Sequence, residues 1–282
     1  MNKIDLNFPQ LYSLYSNGMR IDQSVIQEIL ELPRNALVED LEAIIKASID
    51  HFPFYKQQNL SEFKRCFPVH AFFLLTELKS ENSLYLALAF LSQPKEFLSY
   101  WCGKYTKELL WEVVYTLGNK SLDFLRKFLL SGINPVESNK VILKSVSQIA
   151  LHQPHRREEV ISWYKSIVFH MIHSNYHDYH YSYSLTGTVV SGILDFHGVE
   201  LFNEVRILFD MNRVDKSICG DIDDFTTELR TEVQSDFQSK LYDIYERYDF
   251  ILNDREYYNK MEDVKETHNY QRNGLIQSRP IN

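Results

Sequence analysis

The segment His170-Met171-Ile172-His173-Ser174-Asn175-Tyr176-His177-Asp178-Tyr179-His180 gathers four of the chain's ten histidines into eleven residues. On a continuing helix, at ~100° per residue, His170, His173 and His177 fall within about 60° of one another. Imidazoles spaced i, i+3 or i+4 can share a metal ion, and Asp178 can add an oxygen ligand. The implied chemistry is a metal-binding protein or a metal-dependent enzyme. Against it, no residue type nearby is placed to orient the second ring nitrogens, and Asn175 is suited to stop the helix first. The segment is therefore read as a polar connector, with the metal set His170, His173, His177 and Asp178 kept as the alternative.

Other reactive residues read as structural. His70 precedes a strongly apolar run, where a hydrogen-bonded buried imidazole is preferred to a catalytic one. Cys102-Gly103 follows Trp101 near a helix end, but no base accompanies the thiol. Asp221, Asp223 and Asp224 stand just before Phe225, where carboxylates favour a helix N-terminus and lack the order of a calcium loop. Arg156-Arg157 followed by Glu158-Glu159 is a mixed-charge helix start rather than a phosphate site. The sequence contains no GxxxxGK[ST], GxGxxG, GxSxG, HExxH or CxxC pattern. No catalytic set and no cofactor is assigned.

Five large aromatics, Tyr100, Trp101, Tyr105, Trp111 and Tyr115, fall within sixteen residues. They cannot all occupy one buried helical stripe. Tyr and Trp concentrate energy at protein interfaces, so two or more of these rings are expected to be partly exposed as a patch for a protein or peptide partner. Burial between neighbouring helices is the competing expectation.

Composition limits the remaining possibilities. A hydrophobic share of 44% excludes a disordered chain, while nine glycines and eight prolines in 282 residues are few for an all-β or dinucleotide-binding fold. Residues 215–266 carry 15 acidic and 7 basic side chains, so 7 − 15 = −8 accounts for the whole net charge. No continuous basic track is left for nucleic acid. The three cysteines, Cys66, Cys102 and Cys219, are scattered and unpaired in sequence, which suits a reducing cytoplasm. The start of the chain lacks the apolar core of a signal peptide. The runs Ala71–Leu75 and Leu84–Leu91 fall far short of the ~18 residues of a membrane span.

The elements that must position these residues are helices. Leu37, Leu41, Ile44, Ile45 and Ile49 repeat at helical spacing over 33–51, with Pro33 in the first turn. Helices are predicted over 70–79 and 83–92, joined by Ser80-Glu81-Asn82. Others follow over 107–117, stopped by Gly118-Asn119, and over 121–131, stopped by Gly132. Asn134, Pro135 and Glu137 predict a capped start for a helix ending before Pro154. Residues 156–174, then 186–197 and 199–211 hinged at Gly198, continue the series. Phe237, Leu241, Ile244, Tyr245 and Tyr248 predict one more helix over 236–250. Without an alternating strand pattern this is an all-α fold. Its helix pairs recur at roughly 35–40 residues, as in HEAT-type arrays. Residues 253–282 read as a polar, mobile tail after a single domain spanning 1–252.

The order of motifs resembles a known family. His70-Ala71 with Leu74-Leu75, Phe90-Leu91-Ser92-Gln93-Pro94, Thr106-Lys107-Glu108-Leu109, Leu122-Asp123-Phe124-Leu125, Val141 to Ala150 and Arg157-Glu158-Glu159-Val160-Ile161 follow one another as in an uncharacterised bacterial family, domain of unknown function 1186. The resemblance covers residues 32–230, 199 of 282 positions. It implies a HEAT-like helical array and no established activity. Relatives ending in a cysteine-rich zinc module imply zinc there, but no cysteine follows Cys219, so that zinc is not carried over. The expectation is an α-solenoid of stacked antiparallel helix pairs. It is read as a non-enzymatic scaffold for a protein or peptide, without nucleic-acid or membrane partners.

Overall fold

The structure, a computed structural model, describes residues 4–174, 183–231 and 237–253. Among them every regular element is helical. In chain order these are α1 (Gln23–Leu30), α2 (Arg34–Asp50), α3 (Phe52–Gln57), α4 (Phe67–Glu77), α5 (Leu84–Leu91), α6 (Lys95–Cys102) and α7 (Thr106–Gly118). Then come α8 (Leu122–Leu130), α9 (Val136–His152), α10 (Arg157–His173), α11 (Tyr183–Leu194), α12 (Phe202–Asp210), α13 (Lys216–Cys219) and α14 (Ile222–Arg230). A last helix, α15, runs over residues 244–253. None among the described residues is long and apolar enough to cross a membrane.

The helices stack as a solenoid. α2, α4, α7, α9, α11 and α13 pack side by side in that order, and α8, α10 and α12 form a second row against them. The middle of the first row is buried almost all round: every residue from Phe67 to Thr76 is buried in α4. Such helices need cover on two faces. The second row supplies one cover, and a returning C-terminal segment supplies part of the other.

Polar side chains tie neighbouring helices together by bonding to carbonyls that an adjacent helix leaves within reach. Ser138 Oγ donates to Leu91 O at 2.6 Å, Ser145 Oγ to Trp111 O at 2.7 Å and Trp163 Nε1 to Leu122 O at 2.8 Å. Ser147 Oγ donates to Gly192 O at 2.8 Å, and Tyr164 Oη lies 2.8 Å from the same hydroxyl. Glycine is required at 192 because a Cβ there would stand 2.7 Å from Tyr164 Oη.

Most predicted helices lie within a few residues of their expected ends. Four details differ. Pro33 precedes α2 as its N-cap residue instead of occupying its first turn. Pro135 is the N-cap residue of α9, without a side-chain cap, because Asn134 Nδ2 instead donates to Phe128 O at 2.6 Å and satisfies the end of α8. At the α11–α12 turn the left-handed residue is His197, with φ 54°, not Gly198. Gly198 is needed for space, since a Cβ would come within 2.8 Å of the Phe196 ring. Finally, residues 239–243 contain no helix, and 244–253 does not extend the stack but crosses its first row. Of the tail predicted over 253–282, Asn253 is helical and residues 254–282 lie outside the described residues.

Candidate functional site

Residues 237–253 form a strap laid across α9, α7 and α4 in turn. At α9, Gln148 reads the main chain twice: its Nε2 donates to Phe237 O at 2.9 Å and its Oε1 accepts from Ser239 N at 2.8 Å. One turn along the same face, His152 Nε2 lies 2.8 Å from Ser239 O, and its Nδ1 lies 2.9 Å from Gln238 Nε2. A carbonyl can only accept, so Nε2 carries the proton and the ring is placed by it. At α7, Glu112 Oε1 accepts from Tyr242 N at 2.9 Å. This irregular stretch is thus held through backbone groups by side chains of the first row.

The helical half is held differently. Arg247 meets Glu112 through two hydrogen bonds, Nε to Oε2 at 3.0 Å and Nη2 to Oε1 at 2.9 Å. The two side chains are only 5% and 6% exposed, so this is a buried, two-pronged ion pair. Arg247 Nη2 also donates to Tyr242 O, and its guanidinium lies 5.3 Å from the Phe73 ring centroid. Its Nη1 is buried with no hydrogen-bond partner. At α4, Tyr248 Oη lies 2.6 Å from His70 Nδ1, while His70 Nε2 lies 3.2 Å from Asn17 O. The Asn17 carbonyl fixes Nε2 as a donor, leaving Nδ1 to accept the Tyr248 hydroxyl proton. Burial pushes the Tyr248 phenol well above its ordinary pKa, which keeps that proton in place. His70, fully buried, is a hydrogen-bonded core imidazole in the form preferred from sequence.

The five aromatics singled out from sequence do not converge. Trp101, Trp111 and Tyr115 are buried, whereas Tyr100 and Tyr105 are half-buried. Tyr100 and Trp101 join an aromatic cluster with Phe52 and Trp101 also meets Tyr55 and Phe67, and Tyr100 Oη donates to Tyr55 O at 2.8 Å. The Arg65 guanidinium lies 5.1 Å from the Tyr100 ring. Trp111 and Tyr115 face elsewhere; Tyr115 meets the ring of His152 edge-on at 5.7 Å, beside the strap.

The metal alternative meets a helix end. Ser174, with φ −68° and ψ 140°, caps α10, so the helical continuation needed to align His170 and His173 with later residues stops there. His177 and Asp178 lie outside the described residues. His173 stacks on Phe169 at 4.0 Å, with Nδ1 2.8 Å from Phe169 O. Among the described residues no set of three His, Cys, Asp or Glu side chains is grouped to hold a metal. His170 instead lines a shallow cleft of about 470 Å³ between α8 and α10, next to one of about 530 Å³ beneath Phe124 and Trp163. Arg126, shared by both, is already engaged by Asp123 at 2.8 Å and by Ser166 Oγ at 3.3 Å.

The remaining candidates are structural. Cys102 is fully buried. Asp221 accepts from the backbone N–H of Asp223 and Asp224, and Asp224 reaches back to Asp221 N at 3.0 Å, a complete capping box for α14. Arg157 pairs with Glu200 and donates to Phe196 O and His197 O, closing the α11–α12 turn against α10.

The residues missed from sequence are Glu112, Gln148, His152 and Arg247. Their available signal was polarity inside helices whose other faces are apolar. Among known proteins, no curated protein and no solved structure matches the chain. A family model described as a protein of unknown function, DUF1186, matches residues 14–266, which is 266 − 14 + 1 = 253 of the 282 positions. With the motif order from His70-Ala71 to Arg157-Glu158-Glu159-Val160-Ile161 inside that span, the chain belongs to the DUF1186 family.

Proposed function

We propose that this chain is a non-enzymatic scaffold of HEAT-like helix pairs that binds a protein or peptide partner in the cytoplasm. One observation carries the reading. Side chains of α7 and α9 hold an irregular polypeptide stretch by its main chain, with Gln148 bonding to both Phe237 O and Ser239 N. Main-chain recognition needs only backbone groups free of helical bonds, so it suits segments of varied sequence. The half-buried Tyr100 and Tyr105 offer a second, smaller contact area on the same reading. On this reading the array is one domain over residues 1–252, nucleic acid is not a ligand, and the acidic stretch 215–266 disfavours it electrostatically.

The test is affinity capture of the full-length chain from its native cells, followed by hydrogen exchange on the purified complex. The expected footprint lies on α7, α9 and residues 237–253, or on Tyr100 and Tyr105. If no partner is enriched over a control, or the footprint avoids all of these, the scaffold reading is wrong.

A further inference from the structure

Ile244, Arg247, Tyr248 and Ile251 are the buried residues of α15, and their spacing is i, i+3, i+4, i+7. That is the pattern by which an amphipathic helix from a partner lies in a groove. Its other side faces water: Glu246, Asp249 and Phe250 are exposed. Ahead of it, the stretch from Phe237 to Tyr242 is held by Gln148, His152 and Glu112 through backbone groups. Residues 237–253 therefore sit on the first row as a bound peptide would, an irregular lead followed by an anchored helix.

The fit is incomplete at one atom. Arg247 Nη1 is buried without a hydrogen-bond partner, which weakens the strap's own hold. We propose that residues 237–253 are a displaceable internal ligand. The α4/α7/α9 face they cover is a binding site for a partner segment of the same chemistry, a non-helical lead followed by a helix bearing Arg and Tyr side by side. The inference rests on the scaffold reading and names its ligand class. Glu112 receives the arginine, and His70 accepts a hydrogen bond from the following tyrosine hydroxyl. The strap competes with the partner for the same atoms, so partner affinity falls with the fraction of molecules whose strap is closed.

Two measurements test this on the full-length chain. Native-state hydrogen exchange should show the amides of 244–253 opening together, at least ten-fold faster than those of α4, α7 and α9. A fluorescent synthetic peptide spanning residues 237–253 should then bind a full-length Tyr248→Ala protein at least ten-fold more tightly than the native protein. The same peptide with Arg247→Ala should lose at least ten-fold in affinity. If the strap amides exchange only with the inner helices, the strap is a fixed part of the core and this inference is overturned, while the scaffold reading keeps its capture test. If the strap opens but a folded Tyr248→Ala protein takes up no peptide, the face has no affinity for such segments and this inference is overturned, while the scaffold reading still stands or falls on the capture test. Should Tyr248→Ala fail to fold, exchange and peptide binding on the native protein decide the matter.

Discussion

Replacing Arg247 by Met should destabilise the protein in a way that replacing its partner as well largely cancels. In the native chain Glu112 is 6% exposed and receives three hydrogen bonds, two from Arg247 and one from Tyr242 N. Arg247→Met leaves that carboxylate buried with the single amide, at a cost of about 3–5 kcal/mol. The loss has a ceiling: once it exceeds the docking free energy of residues 237–253, the strap lifts and Glu112 regains water. For a protein of this size, about 2–4 °C of melting temperature goes with each kcal/mol, so a fall of about 10 °C is expected. In Glu112→Leu/Arg247→Met the charge is gone and methylenes fill the space. The Tyr242 amide loses its acceptor, about 1 kcal/mol, so the double variant should lie within about 2 kcal/mol of native. Urea unfolding of the native protein, both single variants and the double, followed by tryptophan emission, yields the coupling energy. A single variant melting within about 2 °C of native, or a double variant as unstable as the sum of the singles, would refute the reasoning.

Three further outcomes are expected. Burial, with Asp215 nearby, pushes the Cys219 thiol up to about 11, and Cys66 and Cys102 are also buried. At pH 8 only about one Cys219 in a thousand is thiolate, so Ellman's reagent should label the native protein very slowly and all three thiols at once in guanidinium; fast native labelling would contradict this. Gly192→Ala should destabilise by about 1–3 kcal/mol through collision with Tyr164 Oη, despite the helical preference for alanine. Adding Tyr164→Phe should recover part of that loss, and strictly additive losses in denaturant unfolding would show that the contact is relaxed. Untagged protein prepared without added metal should hold far less than one zinc, nickel or iron per chain by elemental analysis. Near-stoichiometric metal that disappears in His173→Ala would restore the metal alternative.

The solenoid was legible because its helices carry their burial pattern locally. Leu122, Leu125 and Leu129 recur at helical spacing, and α8 buries those three residues. The capping box at Asp221 and Asp224 was likewise readable, since a cap involves only neighbouring residues. The strap was not. Phe237 and Leu241 fit the period of the helix that follows them, yet the backbone of 237–242 takes its partners from Gln148, His152 and Glu112. Tertiary donors and acceptors outcompete the local helical bonds there, and no periodicity records them. The burial of Glu112 was hidden for the same reason: its charge is balanced by a residue 135 positions away. The aromatic cluster misled in the opposite sense. Density in sequence suggested one patch, but Trp101 and Trp111 belong to different packed groups.

The strap also sets the order in which the protein can fold. Hydrogen bonds between successive helices join residues close in sequence, 34 positions apart for Ser145 and Trp111 and 47 for Ser138 and Leu91. Those between the strap and the array join residues 86 to 178 apart, from His152–Gln238 to His70–Tyr248. Closing a loop about four times longer adds about 1 kcal/mol of entropy, so these contacts form after the array exists. On a ribosome the first row must stand without this cover until residue 253 has emerged, with Glu112 still hydrated and the apolar side of α4 exposed. A pause or premature stop before residue 237 would release a chain with a complete stack and an open face, the species expected to depend most on chaperones.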